Sequence, residues 1–467
     1  MSARDPFDGR EMPANGKSHV CVYCVRGVRK LSPASWNEYT ATCNPDYAIT
    51  LSDTPFTASP HSQKRLTKSL ERSAAWLADS LKAALTKFAA SSDGLPPTGY
   101  PSLLVHMAGV SDPQARRAFA ESLVEPLETV DRDRLEPLNT LDEGVAGYVF
   151  DLVPIRMALS ARCPADVLAD PSDLLVTNPE PAPTGAGDVR HSRDFVGLLQ
   201  ASLQPLPAEK PRTVNSTRSP HEMLQLILDV GIDLFDAHWA QRAADIGIAL
   251  DFKFPVSDAP TDDNHNDASS APRIRANGKQ DIGHNLYNSS YAHDHSRLAS
   301  AFLDAASAQA TSIPPTDSSI CKCAACSPRR PSAHISHSAV DAMPAQPSRS
   351  ASDNILPPYT RSYIHHLLHT HEMSSHALLV MHNLAVLDAF FAGVRAVLAR
   401  TDGQAELRHE AEKFMERYDE TMVVFDEAKV EWREVELARG KGRLAREKAK
   451  QHESTIGTAV DLEQADS

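Results

Sequence analysis

The sequence predicts an α/β protein built on a parallel sheet, arranged either as a barrel or as an open sheet. Short apolar runs alternate with helical stretches over residues 21–255, which is typical of parallel strands joined by helices. The composition then changes to Asp, Asn, Ser, Ala and Pro over 256–319, where core patterning nearly vanishes. Helical patterns resume at 359–400 and, with many Glu, Arg and Lys residues, at 403–450.

The elements of the first part follow from local patterns. Residues 62–90 carry leucines and a tryptophan at helical spacing, which predicts a long helix. Ser219 and Pro220 before an apolar run, with Gly231 after it, predict a capped helix. The remaining patterns predict a helix at 112–128 and strands at 20–28, 46–53, 101–110, 147–153, 232–236 and 248–254.

Composition and charge exclude several classes of protein. The net charge of −14 excludes a generally basic nucleic-acid coat, although a local basic face is compatible with it. The N-terminal residues hold no apolar stretch typical of a secretory signal, and no uninterrupted apolar run approaches the length of a membrane span. Seven cysteines, an odd number, do not indicate a disulfide framework. We therefore expect a soluble protein of a reducing, cytosolic compartment.

Three of the seven cysteines lie close together, in the string CKCAAC at 321–326. Thiolates this close repel one another unless a soft cation neutralises them, and zinc takes four such ligands in a tetrahedron. Cys321, Cys323 and Cys326 are therefore predicted zinc ligands, with three unrelated thiols as the alternative. A fourth ligand must come from elsewhere, and the candidates are His334, His337, His365, His366, His369, His371, His376 and His382.

Spacing alone does not select among these histidines. Closeness in sequence favours His334 or His337, while His382 lies deeper in the chain, beside the apolar stripe of the predicted helix. A buried neutral imidazole there is well placed for a metal, but a hydrogen-bonded core histidine is the ordinary interpretation. The residues by themselves leave the fourth ligand open.

The cysteine string and the later stretch at 359–397, which begins YTRSYIHHLL and contains MHNL, resemble the C-terminal zinc module of the tRNA-guanine transglycosylase family. Tyr359 lies 33 residues after Cys326 and His382 lies 56 residues after it. Both distances exceed the family's usual spacing by the same amount, so one insertion over 327–357 accounts for both. The resemblance therefore implies that His382 is the fourth ligand of one bound Zn²⁺.

Two further stretches share this resemblance. Residues 211–254 resemble the family's strand–helix–strand segment that includes GIDLFD. Residues 31–81 resemble the accessory subunit of the eukaryotic enzyme more than its catalytic subunit. The resemblance implies a TIM-type (β/α) barrel. Family members carry strands ahead of the segment matched at 21–31, so we expect the barrel to lack its N-terminal strands.

Together these observations predict five segments. Disorder is expected where apolar residues are scarce, and a packed core where they recur. The segments are a disordered N-terminus (1–20), a partial α/β barrel (21–255), a disordered insertion (256–319), a zinc-binding helical subdomain (320–400) that contains the disordered insertion 327–357, and a charged helical tail (401–467).

Any catalytic role depends on Asp236. In the family, an Asp carboxylate attacks the anomeric carbon of the ribose, guanine leaves, and a deazaguanine base such as queuine takes its place. Asp236 in GIDLFD matches the position of that nucleophile. The family's Ser-Gly-Gly-Phe-Gln loop, which carries the acid–base carboxylate, matches no string here, and neither VHMAG nor residues 147–155 contain a Gly-Gly pair. AHWAQRAAD follows Asp236 in place of a Pro-Thr-Arg segment, so we predict a vestigial nucleophile.

The resemblance implies a non-catalytic accessory subunit of a heterodimeric queuine tRNA-ribosyltransferase. The catalytic subunit would be its partner, and the complex would exchange guanine for queuine at wobble position 34 of tRNAs with GUN anticodons. An active transglycosylase that uses Asp236 is one alternative, and an interaction scaffold without a role in tRNA modification is another. We expect a cytoplasmic protein without integral membrane association, and the resemblance also allows peripheral attachment to the outer mitochondrial membrane.

Three other patterns have ordinary interpretations. The basic stretches at 63–73 and 431–450 could contact phosphates, but solvated helix faces with i,i+4 ion pairs are the favoured interpretation. Cys21 and Cys24 form a C-x-x-C string inside a strand pattern, which favours core thiols over a redox or metal pair. The histidines of 365–371 are expected on a helix surface.

Overall fold

The chain folds as two units, Met1–Trp239 and Ala240–Ser467. Residues 240–255, which the strand–helix pattern assigns to the barrel, belong to the second unit. The reason is that their strand pairs antiparallel with residues 283–285 and not with the parallel sheet. The computed structural model describes residues 3, 13–24, 27–54, 61–89, 101–160, 188–256, 270–305, 308, 320–329 and 355–440.

The first unit begins with an antiparallel hairpin and a helix: β1 (Val20–Cys24), β2 (Gly27–Leu31) and α1 (Pro33–Cys43). The single strand predicted at 20–28 is therefore two strands. Gly27 adopts a φ of +91°, which other residues rarely reach, and the chain reverses beside it. Cys21 is buried and Cys24 is exposed, because residues three apart on a strand face opposite sides. Only Cys21 is a core thiol.

A parallel sheet of five strands forms the centre of the first unit: β3 (Tyr47–Ile49), β4 (Ser102–His106), β5 (Gly147–Asp151), β6 (Arg212–Asn215) and β7 (Leu234–Phe235). The strands neighbour one another in the order of the sequence, and each neighbouring pair is parallel. Each crossover thus advances one place along the sheet, as in a β/α barrel, whereas an open doubly wound sheet reverses its order. The predicted α/β class is confirmed, with five consecutive strands in barrel order.

Helices occupy every crossover of this sheet, and local signals explain their ends. Ser219 Oγ accepts the Glu222 N–H at 3.1 Å and Gly231 adopts a φ of +74°, so both predicted caps of one helix are confirmed. The apolar faces of the helices bury Leu77, Phe119 and other side chains against the sheet. The helices are α2 (Gln63–Ala89), α3 (Pro113–Val124), α4 (Thr129–Leu135), α5 (Leu152–Ser160), α6 (Asp188–Leu203) and α7 (Pro220–Val230).

The second unit combines a short antiparallel sheet with helices: α8 (His238–Asp245), which spans the division between the units, β8 (Ile248–Leu250), β9 (Gly283–Asn285), α9 (Arg361–His369), α10 (Met373–Leu398), α11 (Gly403–Arg417) and α12 (423–440). The helical pattern at 359–400 is interrupted at His371, which adopts a φ of +58°. Edge-to-face contacts of Phe252 with Phe390 and Phe414 join the segment after β8 to α10 and α11 in one aromatic core.

Several predictions of disorder need correction. Residues 270–305 are ordered although the composition predicted disorder over 256–319, because β9 pairs with β8 and Leu286, Leu298 and Phe302 are buried. The N-terminal segment is also anchored in part, since Asn15 Nδ2 donates to Asp53 Oδ1 at 2.8 Å. In the predicted helical tail, Phe414 and Phe425 are buried. The other residues predicted to be disordered or helical lie outside the described residues: 1–2, 4–12, 257–269, 306–307, 309–319, 330–354 and 441–467.

Helix α10, with 26 residues, is long and apolar enough to cross a membrane by length and composition alone. The sequence has no uninterrupted apolar run of this length, so the helix was not predicted as a candidate span. A single helix of this kind is weak support for a membrane span, because the core helices of many proteins share its composition. His382 and Asn383, at its centre, are fully buried and hydrogen-bond to β8. Helix α10 is thus tied to the core of the second unit.

Candidate metal centre

The three cysteines lie on one short loop whose course is set by hydrogen bonds. The Cys321 N–H donates to Leu303 O at 2.8 Å, which attaches the start of the loop to a neighbouring segment. Ser327 Oγ donates to Cys321 O at 2.7 Å, so the loop closes on itself. The Cys326 N–H donates to Cys323 Sγ at 3.2 Å, a contact typical of metal-binding turns. The backbone of this loop therefore places the three sulfurs close together.

His382 completes a cluster of four residues. Its Nδ1 lies 3.3 Å from Cys326 Sγ and 3.9 Å from the sulfurs of Cys321 and Cys323. The sulfurs of Cys321 and Cys323 are 3.5 Å apart. All four ligand atoms lie within 4.8 Å of one another, and all four residues are buried. The structure thus brings together the four residues predicted as metal ligands.

The cluster fits a tetrahedral metal ion. With metal–sulfur distances of about 2.3 Å and metal–nitrogen distances of about 2.0–2.1 Å, the edges of a zinc tetrahedron measure about 3.6–3.8 Å. The hydrogen-bond distances of 3.3–3.9 Å within the cluster bracket those edges. Three thiolates and one imidazole suit a soft or borderline cation. Four protein ligands leave no open coordination position, which is the property of a structural rather than a catalytic site.

Hydrogen bonds to β8 orient the histidine for this role. The His382 Nε2–H donates to Leu250 O at 2.9 Å, so Nδ1 faces the sulfurs, and a neutral ring would offer its unprotonated Nδ1 to a bound metal. Asn383, the next residue, accepts the Leu250 N–H at 2.9 Å and donates to Ile248 O at 2.9 Å. Consecutive residues of α10 therefore hold both backbone groups of Leu250. The position of the imidazole is fixed by the strand.

In the absence of a cation, the cluster shares its protons unevenly. Hydrogen bonds from Cys321 and Cys326 lower the pKa of Cys323 far below its ordinary value, and contacts with the other two sulfurs raise the pKa of Cys326. Burial acts to lower the pKa of His382, but hydrogen bonds with Cys321 and Cys323 outweigh it and raise that pKa to about 10. The protein by itself thus forms a thiolate–imidazolium pair, in which a metal would replace protons.

The insertion that separates the cysteines from the helix leaves the site undisturbed. Arg329 and Ile355 form an antiparallel bridge, and the Leu356 N–H donates to Pro328 O at 2.9 Å. The chain thus leaves the metal loop and returns to it at the same place. Residues 330–354, between these anchors, lie outside the described residues. A spacer inserted here changes the distance in sequence but not the distance in space.

The other candidate histidines that the structure describes have partners other than the sulfurs or face solvent. His365 and His369 place ring nitrogens 2.9 Å and 3.0 Å from the carbonyl oxygens of Leu286 and Tyr287. His334 and His337 lie outside the described residues. The remaining candidates face solvent or acidic side chains: His366, His371 and His376.

Asp236 directly follows β7, at the carboxyl end of the parallel sheet, where barrel enzymes carry catalytic residues. Its Oδ2 accepts the Ser216 N–H at 2.7 Å and its Oδ1 accepts the His238 N–H at 3.3 Å. Burial raises the pKa of this carboxyl, and these two hydrogen bonds oppose the shift. Ser216 adopts a φ of +71°, which is uncommon outside glycine. The carboxylate therefore braces the loop that follows β6.

A second polar group at this sheet edge was not predicted from the sequence. Asp151 Oδ1 accepts from Asn215 Nδ2 at 2.7 Å, and Asp151 Oδ2 lies 2.8 Å from His106 Nε2. The three residues are the last of β5, β6 and β4. The signal was available, because each is the polar residue that closes an apolar run in a predicted strand. Their side chains meet because parallel strands end at one edge of the sheet.

The basic residues of 63–73 also have partners at the start of the sheet. Asp53, fully buried, binds Arg65 through both carboxylate oxygens at 2.8 Å and Arg72 at 3.0 Å. These two arginines pair with a buried aspartate outside the helix, whereas the favoured interpretation was a solvated helix face with ion pairs along it.

Five parallel strands in barrel order, followed in the chain by a buried Cys₃His cluster, define an α/β protein of the barrel class with a candidate structural metal centre. Residues 183–420, just over half of the chain, match the family model described as Queuine tRNA-ribosyltransferase (TGT). The chain therefore belongs to the queuine tRNA-ribosyltransferase family.

Individual relatives point to one branch of that family. The chain is 23% identical over 406 residues to the queuine tRNA-ribosyltransferase accessory subunit 2 of Schizosaccharomyces pombe, covering 86% of this chain and 60% of that protein. It is 25% identical over 224 residues to the human protein of the same name, and this match covers 45% of this chain and 42% of the human protein. It is 26% identical over 212 residues to the Drosophila grimshawi protein of that name, and this match covers 45% of this chain and 35% of that protein. The chain spans less than two thirds of the length of these relatives.

Proposed function

We propose that this chain is a zinc-binding accessory subunit of a queuine tRNA-ribosyltransferase that acts together with a separate catalytic subunit. The complex would exchange guanine for queuine at wobble position 34 of tRNAs with GUN anticodons. The observation that carries the proposal is the buried cluster of Cys321, Cys323, Cys326 and His382, found in a chain whose relatives are named accessory subunit 2.

Zinc is the metal best suited to this donor set. A closed site of three thiolates and one imidazole is a common structural zinc site. The ligands come from a loop and from α10, which lie 56 to 61 residues apart in sequence. Zinc would join these two segments, and its binding energy would contribute directly to the folding of the second unit.

Exposed apolar side chains near this site support a partner. Met373, Ala377 and Met381 are four residues apart along α10 and are exposed, Met373 to 88%. The rings of Tyr359 and Tyr363 stack with centroids 5.4 Å apart and are also partly exposed. Apolar and aromatic side chains left on a surface favour a protein interface. By family resemblance, the zinc module is the part of the subunit that contacts its partner.

The polar residues at the sheet edge support a non-catalytic role. A nucleophilic carboxylate needs a proton partner and a space in which the base can lie. Asp236 is held by the Ser216 N–H, and Asp151, with a side chain in place of the family's glycine pair, is bonded to Asn215. Asp53 is neutralised by Arg65. The acidic groups here thus serve internal contacts.

One observation favours the alternative of an active transglycosylase. Asp236 is present, and it lies at the carboxyl end of β7, the place that a nucleophile would occupy. Under this alternative, the purified chain by itself would incorporate labelled guanine into tRNA, and Asp236→Asn would abolish the incorporation.

Co-expression with the catalytic subunit tests the main proposal. We expect one zinc per chain, co-purification of both subunits, and base exchange only by the complex, with Asp236→Asn as active in the complex as the wild type. Base exchange by the chain alone would refute the accessory role. A wild-type chain that binds neither zinc nor the catalytic subunit would refute the proposal altogether. Cell fractionation tests the proposed cytoplasmic location and the peripheral attachment to mitochondria.

A further inference from the structure

A buried carboxylate outside every motif connects the two halves of the metal centre. The side chain of Asp251 is fully buried. Its Oδ2 accepts the N–H and the Oγ–H of Ser300, both at 2.7 Å, and its Oδ1 accepts the Ala301 N–H at 2.9 Å. His284 Nε2 lies 3.0 Å from Oδ2. Three donors from two consecutive residues thus converge on one carboxylate, beside a histidine nitrogen.

These bonds lead to the cysteine loop on one side. Ser300 and Ala301 start a short segment in which Leu303 O accepts the Cys321 N–H at 2.8 Å. Two residues further on, the Ala305 N–H donates to Ser327 Oγ at 2.9 Å, and this hydroxyl donates to Cys321 O. The segment 300–305 therefore holds both ends of the loop that carries the three sulfurs.

On the other side, Asp251 adjoins the anchor of the histidine. It directly follows Leu250, whose carbonyl oxygen accepts the His382 Nε2–H at 2.9 Å. The backbone of Asp251 is itself fixed, since its N–H donates to Ile282 O at 2.9 Å. The end of β8 thus holds the imidazole through a carbonyl and the cysteine loop through a carboxylate.

We propose that Asp251 is a positioning residue for the metal centre, which holds the 300–305 segment against β8 so that the sulfurs and the His382 ring keep a tetrahedral spacing. The inference rests on the metal binding of the proposed function and adds a residue that the cysteine–histidine pattern does not contain. Outer hydrogen bonds of this kind set the geometry of metal ligands and their affinity for the ion.

Only a carboxylate satisfies the donors around this position. In an Asp251→Asn variant, one of the two oxygens becomes an amide NH₂ group. If the amide faces Ala301, it meets the backbone N–H of that residue, and if it faces Ser300, it meets two donors and His284. In either orientation the amide N–H group points at another hydrogen-bond donor. The 300–305 segment must therefore shift, although the side chain keeps its size.

A nearby cation explains how a buried charge is tolerated. Arg361 Nη2 lies 3.9 Å from Asp251 Oδ2, and the arginine is itself only 1% exposed. Its guanidinium also donates to Ser270 O and to Asp294 Oδ2, at 2.6 Å and 3.2 Å. The network therefore balances the charge of Asp251 within the second unit.

The test compares zinc affinities of the full-length chain by competition with a chromophoric chelator. For Asp251→Asn we expect a loss of affinity of about 10–100-fold, the usual effect of changing an outer partner of a metal ligand. The Co²⁺-loaded variant should also show a changed visible absorption, because the tetrahedral ligand field reports the geometry of the ligands. A role in folding alone would lower the melting temperature without moving this spectrum.

Asp281→Asn is the matched control. Asp281 is another buried aspartate of the second unit, and it accepts from Arg275 Nε at 2.7 Å, without a bond to the 300–305 segment. We expect this variant to melt at a lower temperature and to bind zinc with wild-type affinity. Ser300→Ala, which removes one donor and keeps the carboxylate, should weaken zinc binding about fivefold and serves if Asp251→Asn does not fold.

The outcomes separate this inference from the proposed function. A wild-type chain that binds no zinc would refute the metal site and this inference with it. A wild-type chain that binds zinc, together with unchanged affinity and Co²⁺ absorption in Asp251→Asn, would refute the inference alone. If Asp251→Asn does not fold, unchanged affinity in Ser300→Ala would refute it as well.

Discussion

Replacing Asn383 should destabilise the second unit severely, because this side chain holds the strand that orients His382. Its Oδ1 accepts the Leu250 N–H at 2.9 Å, and its Nδ2 donates to Ile248 O at 2.9 Å and to Ala240 O at 3.2 Å. The residue is fully buried. In Asn383→Ala, three backbone groups would each lose a hydrogen bond in an interior that water does not reach.

The expected magnitude follows from these three bonds. A buried group left without its partner costs about 1–3 kcal/mol, with amide donors above carbonyl acceptors, so we expect a loss of about 3–5 kcal/mol. At about 2–4 °C per kcal/mol for a unit of this size, the melting temperature should fall by about 6–20 °C. Asn383→Asp should be worse, because a carboxylate oxygen would face two carbonyl oxygens.

Thermal unfolding of the zinc-saturated protein, followed by circular dichroism, measures this effect. Asp388→Ala is the control on the same helix, since its side chain is 84% exposed and its loss should change the stability by less than about 0.5 kcal/mol. Zinc affinity of Asn383→Ala should fall as well, because Leu250 O would no longer be fixed. A melting temperature within about 2 °C of the wild type would show that these hydrogen bonds do not hold β8 against α10.

Three further predictions concern the same unit and its neighbour. Cys323→Ser and His382→Ala should each reduce the bound zinc from one per chain towards none and abolish co-purification with the catalytic subunit. Full-strength co-purification of a zinc-free variant would contradict that link. Gly393→Ala should destabilise the protein, since a Cβ there would lie 2.0 Å from Phe254 O, whereas Gly197→Ala, with open space around it, should gain about 0.5–1 kcal/mol in thermal melts. In chelator-treated protein, the thiolate–imidazolium pair should stabilise the fold most between pH 6.5 and 9.0, the ordinary pKa values of His and Cys. Within that range the folded chain holds one extra proton on His382 and lacks one on Cys323. The folded and unfolded chains therefore bind equal numbers of protons, and the stability does not change with pH. Below it the unfolded chain binds one more proton than the folded chain, and above it one fewer, so the stabilisation declines on both sides. The difference in unfolding free energy between wild type and Cys323→Ala, measured from acid to alkaline pH, should therefore pass through a maximum, and a monotonic curve would contradict the assignment.

Strong local signals made part of the fold predictable. The cap residues Ser219 and Gly231 define α7, and the helical period of 62–90 defines α2, because both depend on residues only a few positions apart. Residues 270–305 were expected to be disordered, since Asp, Asn and Ser dominate their composition. Their order comes from distant partners instead, such as the Arg275–Glu427 ion pair at 2.7 Å. These two residues are 152 positions apart in the sequence, so no local sequence pattern predicts their contact.

The residues at the carboxyl end of the parallel sheet were also predicted only in part. Asp236 was found from its motif, whereas the group of His106, Asp151 and Asn215 was missed. These three residues lie on different strands, and their meeting depends on which strands are neighbours. Alternation of strands and helices predicts a parallel sheet, but strand order follows from the packing of the crossover helices.

The sequence by itself determined the sulfur ligands of the candidate metal centre, because three cysteines within one short loop offer the thiolates that a soft cation prefers wherever that loop lies. The residues by themselves left the histidine open and the family resemblance implied His382, but only the tertiary structure shows that this ring lies beside the sulfurs. His382 is 61 residues from Cys321 along the chain, yet its Nδ1 lies 3.9 Å from the Cys321 sulfur. Coordination depends on distance in space, and that distance is set by β8, whose backbone binds both residues 382 and 383.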